Sequence, residues 1–413
     1  YIGFKSQEVA VNGQRSLKII LQEDTETLDE VVVVGYGVQK KSVVTAAISK
    51  VGADELNLTK PSRVEDALKG KVSGVQITQS SGQPNSDSKV RIRGIGTVNN
   101  SDPLYIVDGM PVGGGINYLN PTDIASIEIL KDAASAAIYG SRGSNGVVLV
   151  STKQGKSGKA KVAFNASFGV QTLEKKMDVL NATEWMEFKL RWNDANYLQE
   201  AKKLGLTSAS IKDDNATRLS NLGIQAGTAN SYLVVFDERW FNYLGDDMRN
   251  AHTYTPNPEQ LSLLDWQDEF FRNSIVQDYS LNVSGGTENT SYLFSGGYMN
   301  QAGIVTGTGY ERFSFRANIE SKINKYLTIG MNMAPTYIVQ DGSGQANGKD
   351  SQVHQALYAT PVSEPGVGYM TNVDPNPYYL WAGSTSSPVY NMEKNIKQNR
   401  MMRLVGNAFV RIT

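Results

Sequence analysis

The residues of this chain that could do chemistry are few, and most of them fail on spacing. His252 and His354 are its two histidines and cysteine is absent, so neither an HExxH zinc site nor a thiol nucleophile nor a Cys-ligated metal can be written. The acids are scattered without a pair or triad at catalytic spacing, so the chain reads as no enzyme and no cofactor is expected. Gly94-Ile95-Gly96 begins a nucleotide-loop pattern, but no third glycine opens a helix after it. Asp341 to Asp350 has the glycines of a calcium loop without its spaced carboxylates or closing Glu, and no metal is assigned there.

Three sets of residues remain. Val31 to Val34 follow the acids Asp29 and Glu30 and precede Gly35 and Gly37. Four β-branched residues stiffen an extended strand, which is either buried or a mobile strand that adds itself to a partner's sheet edge. Arg91 and Arg93 alternate with Val90 and Ile92, giving one oily face and one doubly cationic face. Two arginines so close need carboxylate partners or water, and a solvated strand face is the plainer reading. Tyr378, Tyr379 and Trp381 cluster between prolines, where rings either pack within their loop or stack on a sugar face or peptide side chain.

The elements that must position these groups fall into two kinds. Ser42 to Lys153 is a tightly turned α+β stretch. Ser62 can cap a helix running to Gly70, VSGVQITQ reads as a strand, Asp108-Gly109 turns after the apolar run Leu104 to Val107, and Gly140, Gly143 and Gly146 precede a last strand. From Ala160 onward, six segments alternate with period two. Val162, Phe164, Phe168 and Val170 oppose Lys161, Asn165 and Ser167; Tyr279, Leu281 and Val283 oppose serines and Asn282; Tyr292, Phe294 and Tyr298 oppose Ser291 and Ser295. Phe313, Phe315 and Ile319 oppose Arg312, Arg316, Asn318 and Glu320, a second face expected to be wet. Leu327, Ile329, Met331 and Met333, and then Met402, Leu404 and Val410, complete the set.

A soluble antiparallel sheet would alternate in the same way. Segment lengths of about 9 to 11 residues suit a tilted strand crossing a bilayer. The connections also alternate, with tight turns at 285–289 and 323–325 and long insertions at 172–274 and 340–398. Both features favour a membrane barrel. In the first insertion Asn181 or Thr183 caps a helix that puts Trp185, Phe188, Trp192 and Leu198 on one face, with Gly205 as its stop. Those aromatics are expected to pack rather than to hold ligand.

Composition bounds the rest. Length points to two or three domains, and 40 basic against 41 acidic residues gives no excess for nucleic acid. No apolar run is long enough for a membrane helix, which a barrel does not need. The first residues, around Asn12-Gly13, read as a hairpin closing a domain. Starting at Tyr1 and stopping at Thr413 inside a strand-like run, the chain reads as a fragment.

LDEVVVVGYG, VRIRGIGTVNNSDPLYIVDGMPV and NPTDIASIEILKDAASAAIYGSRGSNGVVLVSTKQG, in that order, resemble the SusC/RagA-type TonB-dependent transporters of Bacteroidota outer membranes. NQAGIV and GYERFSFR resemble them more loosely. The resemblance implies an α+β plug domain followed by an antiparallel transmembrane β-barrel of about twenty-two strands, of which about six are present here. An open six-stranded sheet would leave unpaired edges in lipid, so the working unit is expected to be larger.

It further implies these divisions: residues 1–23 as the end of a carboxypeptidase-regulatory-like extension, 24–41 as TonB box and linker, 42–155 as plug, and 156–413 as the first part of the barrel. Asp29, Glu30, Val31, Val32, Val33, Val34 and Gly35 would be the TonB box. The implied activity is TonB-dependent import of oligomers, with glycan fragments favoured over oligopeptides; a non-transporting adhesive barrel is the alternative. Implied partners are TonB with its inner-membrane energising complex, a SusD-like surface lipoprotein, outer-membrane lipid and the glycan or peptide substrate, without nucleic acid. A dimer of transporter–lipoprotein pairs is one arrangement open to it.

Overall fold

A computed structural model of the chain describes residues 31–34, 37–40, 48–57, 63–97, 100–228, 230–236, 262–342, 352–363 and 396–412. The expected hairpin near Asn12-Gly13, with the whole of 1–23, lies outside them. The chain divides into two compact units, one built on residues 1–78 and 88–154, the other on 79–87 and 155–413.

In the first unit β1 (Val31–Val34) and β2 (Gly37–Lys40) form a two-stranded antiparallel ribbon. β3 (Ile48–Gly52), α1 (Ala53–Asn57), α2 (Val64–Ala67), β4 (Val75–Gln79), β5 (Ser88–Ile92), β6 (Leu104–Val107), β7 (Met110–Val112), β8 (Ile124–Leu130), α3 (Ala133–Ala136) and β9 (Val147–Thr152) follow. Five of these strands make one sheet in the order β3-β8-β9-β6-β7, antiparallel except where β6 runs parallel to β9. β6 and the first four residues of β9 are buried throughout, as expected of strands covered on both faces. Leu104, Ile106, Leu130, Val147 and Leu149 pack with Ala136 of α3.

Asp108-Gly109 turns the β6–β7 hairpin with φ of 47° and 81°, the two left-handed residues that a type I′ turn demands. Two expectations need correction here. The helix foreseen from Ser62 to Gly70 is only α2, entered at Arg63 without a side-chain cap, and Ser62 is outside the described residues. Its residues Val64, Glu65 and Ala67 are buried, so packing rather than helix length holds this segment. Arg91 and Arg93 do not share a strand face, because β5 ends at Ile92 and Arg93 is left-handed, with φ 55°. Its N–H donates to Gly74 O at 2.8 Å, which closes the end of the β4–β5 ribbon.

The second unit carries β10 (Gly158–Gln171), α4 (Ala182–Lys203), α5 (Asn215–Leu222), β11 (Ser262–Leu263), α6 (Trp266–Phe270), β12 (Ser274–Gly286), β13 (Thr290–Ala302), β14 (Gly309–Lys322), β15 (Leu327–Asp341), α7 (Gln352–Tyr358), β16 (Val362–Ser363) and β17 (Gln398–Ile412). The six long strands form one antiparallel sheet in chain order, β10-β12-β13-β14-β15-β17. β11 pairs with β16 and so ties the two long insertions together.

The six strands are 13 to 15 residues long, more than the expected bilayer crossing. Their apolar and polar faces separate as the alternation predicts, with the oily side exposed: Phe164 is 66 % exposed, and Leu281, Phe315 and Leu404 are exposed with it. On the inner strands the opposite face is largely buried and carries Ser280, Ser295, Asn318, Thr328 and Thr336 beside Leu293, Met299 and Ile338. The wet face foreseen on β14 is therefore a correction, since Arg312 and Arg316 are 1 % and 3 % exposed. This is a globular protein's pattern inverted, which suits a sheet whose exposed side meets hydrocarbon.

Candidate functional site

The four valines sit in a ribbon whose register sets Val34 opposite Gly37 and Val31 opposite Lys40. A two-residue loop makes the flanking pair hydrogen-bonded, and bonded and non-bonded pairs alternate from there. Val32 N–H then points at β2, while Val31 and Val33 turn theirs to the other edge, which has no strand among the described residues. Asp29, Glu30 and Gly35 lie outside the described residues, as do Tyr378, Tyr379 and Trp381.

The α+β unit is pinned by charged groups at its turns. Arg91 Nη1 donates to Asp102 Oδ1 at 2.8 Å and to its neighbour Val90 O at 3.1 Å, while Arg93 is exposed. A deeper pair escaped the sequence reading: Arg63 Nη2 donates to Glu65 Oε1 at 3.3 Å with both side chains buried. Ile116 N–H donates to the same oxygen at 3.2 Å. Burial pushes the Tyr105 phenol well above its ordinary range, and the Glu65 and Asp102 carboxylates add to the effect.

Asp108 accepts from Thr152 N–H at 2.9 Å and from its hydroxyl at 2.8 and 2.7 Å, so the hairpin turn is tied to the end of β9. Asp108→Ala removes these bonds and leaves a β-carbon in a left-handed turn. We expect a loss of about 2 to 3 kcal/mol, read as faster amide exchange at Thr152 and Lys153 in the full-length protein. Unchanged exchange there would show that the turn is held by other means.

The long sheet carries two cross-strand ladders. On the exposed face Tyr279, Tyr298, Phe313 and Tyr337 lie directly opposite one another across β12 to β15. Their ring centroids are 6.4, 4.8 and 6.5 Å apart. Polar groups gather just beyond this row: Asn300 Nδ2 donates to Glu311 Oε1 at 2.7 Å, and the Tyr298 hydroxyl donates to the same oxygen at 3.3 Å. On the other side of the row the same face of β15 runs Pro335, Met333, Met331, Ile329, Leu327.

Tyr337 to Leu327 is about ten residue steps, hence about 33 Å along the strand and about 25 Å along the membrane normal at a tilt of about 40°. That is the height of an outer-membrane barrel's apolar band, and the ring row has the place and chemistry of its aromatic girdle. On the buried face Asn318, Asn332 and Asn407 form an amide ladder across β14, β15 and β17. Asn318 donates to Asn332, and Asn332 Nδ2 donates to Asn407 Oδ1 at 2.8 Å.

The first insertion is a small helical body. Asn181 and Glu184 close a capping box at the start of α4, and a Schellman motif ends it, with Leu206 N–H donating to Ala201 O at 2.9 Å around left-handed Gly205. Its buried stripe is Met186, Leu190, Asn193, Tyr197 and Ala201. The face expected from Trp185, Phe188, Trp192 and Leu198 is thus corrected. Trp185 packs beside Met186 and Leu190, but Phe188 is 55 % exposed, and Trp192 and Leu198 are exposed with it.

Burial pulls the Lys189 ammonium down from 10.5 to about 8, although the Trp192 ring centroid lies 4.0 Å from Nζ. Below pH 8 folded and unfolded chains are both charged and the cost of burial is felt in full. Between about 8 and 10.5 the unfolded chain holds more protons, so stability rises with pH. A rise in the protease resistance of α4 from pH 7.5 to 10 that Lys189→Met abolishes is the expected result.

A cavity of about 380 Å³ opens between the segment 176–182, α6 and α7, with Trp185, Trp266 and Tyr358 on its wall. Trp266 Nε1 is committed to Thr360 O at 2.8 Å. Lys176 bridges Asp265, at 3.1 Å, and Asp268, and its bond to Asp268 holds the ammonium above its usual range. Among the described residues no group of three or more His, Cys, Asp or Glu could hold a metal ion.

Residues 40–147 match the family described as the TonB-dependent receptor plug domain. The chain is 35 % identical over 348 residues to a TonB-dependent receptor of Formosa agariphila, covering 84 % of this chain and 28 % of the relative. It is 32 % identical over 329 residues to TonB-dependent receptor SusC of Bacteroides thetaiotaomicron, covering 77 % of this chain and 27 % of that one. Among solved structures it is similar to the RagAB peptide importer in the open-open state, with a TM-score of 0.66 and 26 % identity over 93 % of this chain and 40 % of that one. The chain thus spans under half the length of these relatives.

Proposed function

Given that the chain belongs to the TonB-dependent receptors of SusC/RagA type, outer-membrane β-barrels with a plug domain, we propose that the protein imports an oligomeric nutrient across the outer membrane using energy delivered through TonB. The observation that carries this reading is the inverted sheet. Its rings and aliphatic side chains face out, its arginines, serines and asparagines face in, and it follows a plug-type domain in the chain. Such a wall encloses a polar path, and a folded plug keeps that path from being a permanent hole.

In this reading residues 42–155 are the plug and Asp29 to Gly35 the TonB box. Substrate binding on the outer side releases the valine strand, TonB captures it by strand addition, and the pull displaces part of the plug. Import works with a SusD-like surface lipoprotein as lid. Backbone pairing suits the capture step because it needs few particular side chains.

Two substrate classes have support. Glycan fragments fit the ring-rich residues Tyr378, Tyr379 and Trp381 and the rings of Trp185 and Tyr358 at the cavity beside α6 and α7, since sugar faces stack on aromatic rings. Oligopeptides are supported by the likeness to the RagAB peptide importer. Deleting the gene and growing the strain on defined glycans or peptides separates them. Loss of growth on one class, reproduced by deleting TonB, is the expected result; an adhesive barrel would leave growth unchanged when its own gene is deleted.

A further inference from the structure

The exposed face of the long sheet loses its bulk in the middle of the rings of β13. On β13 the exposed positions run Tyr292, Phe294, Gly296, Tyr298, so a glycine stands where rings stand on either side. Its cross-strand neighbours are Leu281 on β12 and Phe315 on β14. A β-carbon built at Gly296 meets nothing within 4 Å. The space there is part of a groove of about 530 Å³, lined almost wholly by apolar atoms and bounded on its outer side by Tyr298 and Phe313.

Gly296 needs no left-handed backbone, so the strand itself does not require glycine there. Pro335 lies opposite Leu404 further along the same row and also presents little bulk, so the low ground continues past Phe315. The groove begins immediately inside the aromatic girdle, at the depth where the outer leaflet's hydrocarbon starts. The polar groups Gln277, Asn300 and Glu311 are confined to the row beyond the rings. We propose that this groove is a lipid site that seats one acyl chain of a bilayer lipid against Gly296, below the Tyr298 and Phe313 rings. It differs from the neighbouring wall in being a shallow groove, whose floor at Gly296 lets a chain lie between Leu281 and Phe315.

The test uses the full-length protein, in native mass spectrometry from mild detergent and in vesicles of phosphatidylethanolamine and phosphatidylglycerol carrying acyl-chain spin labels. Wild type should retain lipid and show an immobilised component. Gly296→Phe should retain one lipid fewer per copy with a matching loss of that component, and Ala408→Phe, which adds the same ring elsewhere on the exposed face, should equal wild type. Should Gly296→Phe fail to assemble, Gly296→Val fills the floor with less bulk and should show the same loss. Wild type without retained lipid, equal retention in the filled variants, or a retained mass that is a second copy or a lipoprotein would overturn the proposal. Uptake is not a readout, so the result stands apart from the transport reading.

Discussion

Proline at Val33 of the full-length protein lowers nutrient uptake by about tenfold or more, toward that of a strain without TonB, and leaves the amount of barrel in the membrane unchanged. The ribbon's register directs the Val33 N–H to the open edge and the Val32 N–H to β2. A partner strand added at that edge needs the Val33 donor, and proline removes it. One lost ladder bond costs about 1 to 1.5 kcal/mol, which is close to tenfold in affinity, before the ring's clash with the incoming strand is counted. Val32→Pro acts differently, because it breaks the ribbon and not the offered edge. If Val32→Pro is the more damaging change, TonB replaces β2 instead of adding beside β1. If uptake survives both prolines, the four valines are not the strand that TonB captures.

Arg218→Met destabilises the helical insertion by about 3 to 5 kcal/mol, the usual cost of removing one member of a buried charge pair. Arg218 has no exposure. Its Nε donates to Asp213 O, Nη1 to Val234 O and Nη2 to Ile211 O, each at 2.9 Å, and Nη2 also meets the Asp194 carboxylate. The guanidinium carbon lies 5.0 Å and 4.9 Å from the ring centroids of Tyr197 and Phe236. One side chain therefore joins α4, α5 and the segment 230–236. The expected readout is loss of amide-exchange protection across α4 and α5, with the long strands unaffected. Adding Asp194→Asn should recover part of the loss, because the partly buried carboxylate would no longer face the site without the guanidinium. Protection equal to wild type in the single variant would mean that the apolar cluster of Tyr197, Leu219, Val234 and Val235 holds the insertion alone.

The long strands were legible in the sequence because period-two alternation survives any environment, and the rings and methyl groups all fell on one side. Their ends were less legible. A strand that continues past the aromatic row takes polar residues on its exposed face, such as Asn300 and Glu311, and that erases the alternation used to measure its length.

The buried side of β14 was misjudged as wet because arginine normally signals solvent, whereas Arg312 and Arg316 belong to a sheet whose polar side is the buried one. On α4 the aromatics marked the wrong face. The core there includes Asn193, fully buried and donating to Val235 O, so a polar letter stood where an apolar one was sought. The Arg218 hub gave no local signal, since its partners are brought together only by the fold, and the adjacent Arg63 and Glu65 gave no sign of being buried, since Ile116 N–H reaches Glu65 only in the folded chain. A helix-cap pattern at Asn181, by contrast, needs only its own neighbours and was readable.

In this reading β14 stands in lipid on one face and turns Arg312, Arg316 and Asn318 away from it. Nitroxide labels placed singly from Arg312 to Glu320 in the reconstituted full-length protein test this most directly, by collision with oxygen dissolved in the bilayer. High oxygen accessibility is expected at Phe313, Phe315 and Ile319 and low accessibility at Arg312, Ser314, Arg316 and Asn318. The reverse phase, or a profile without alternation, would contradict it.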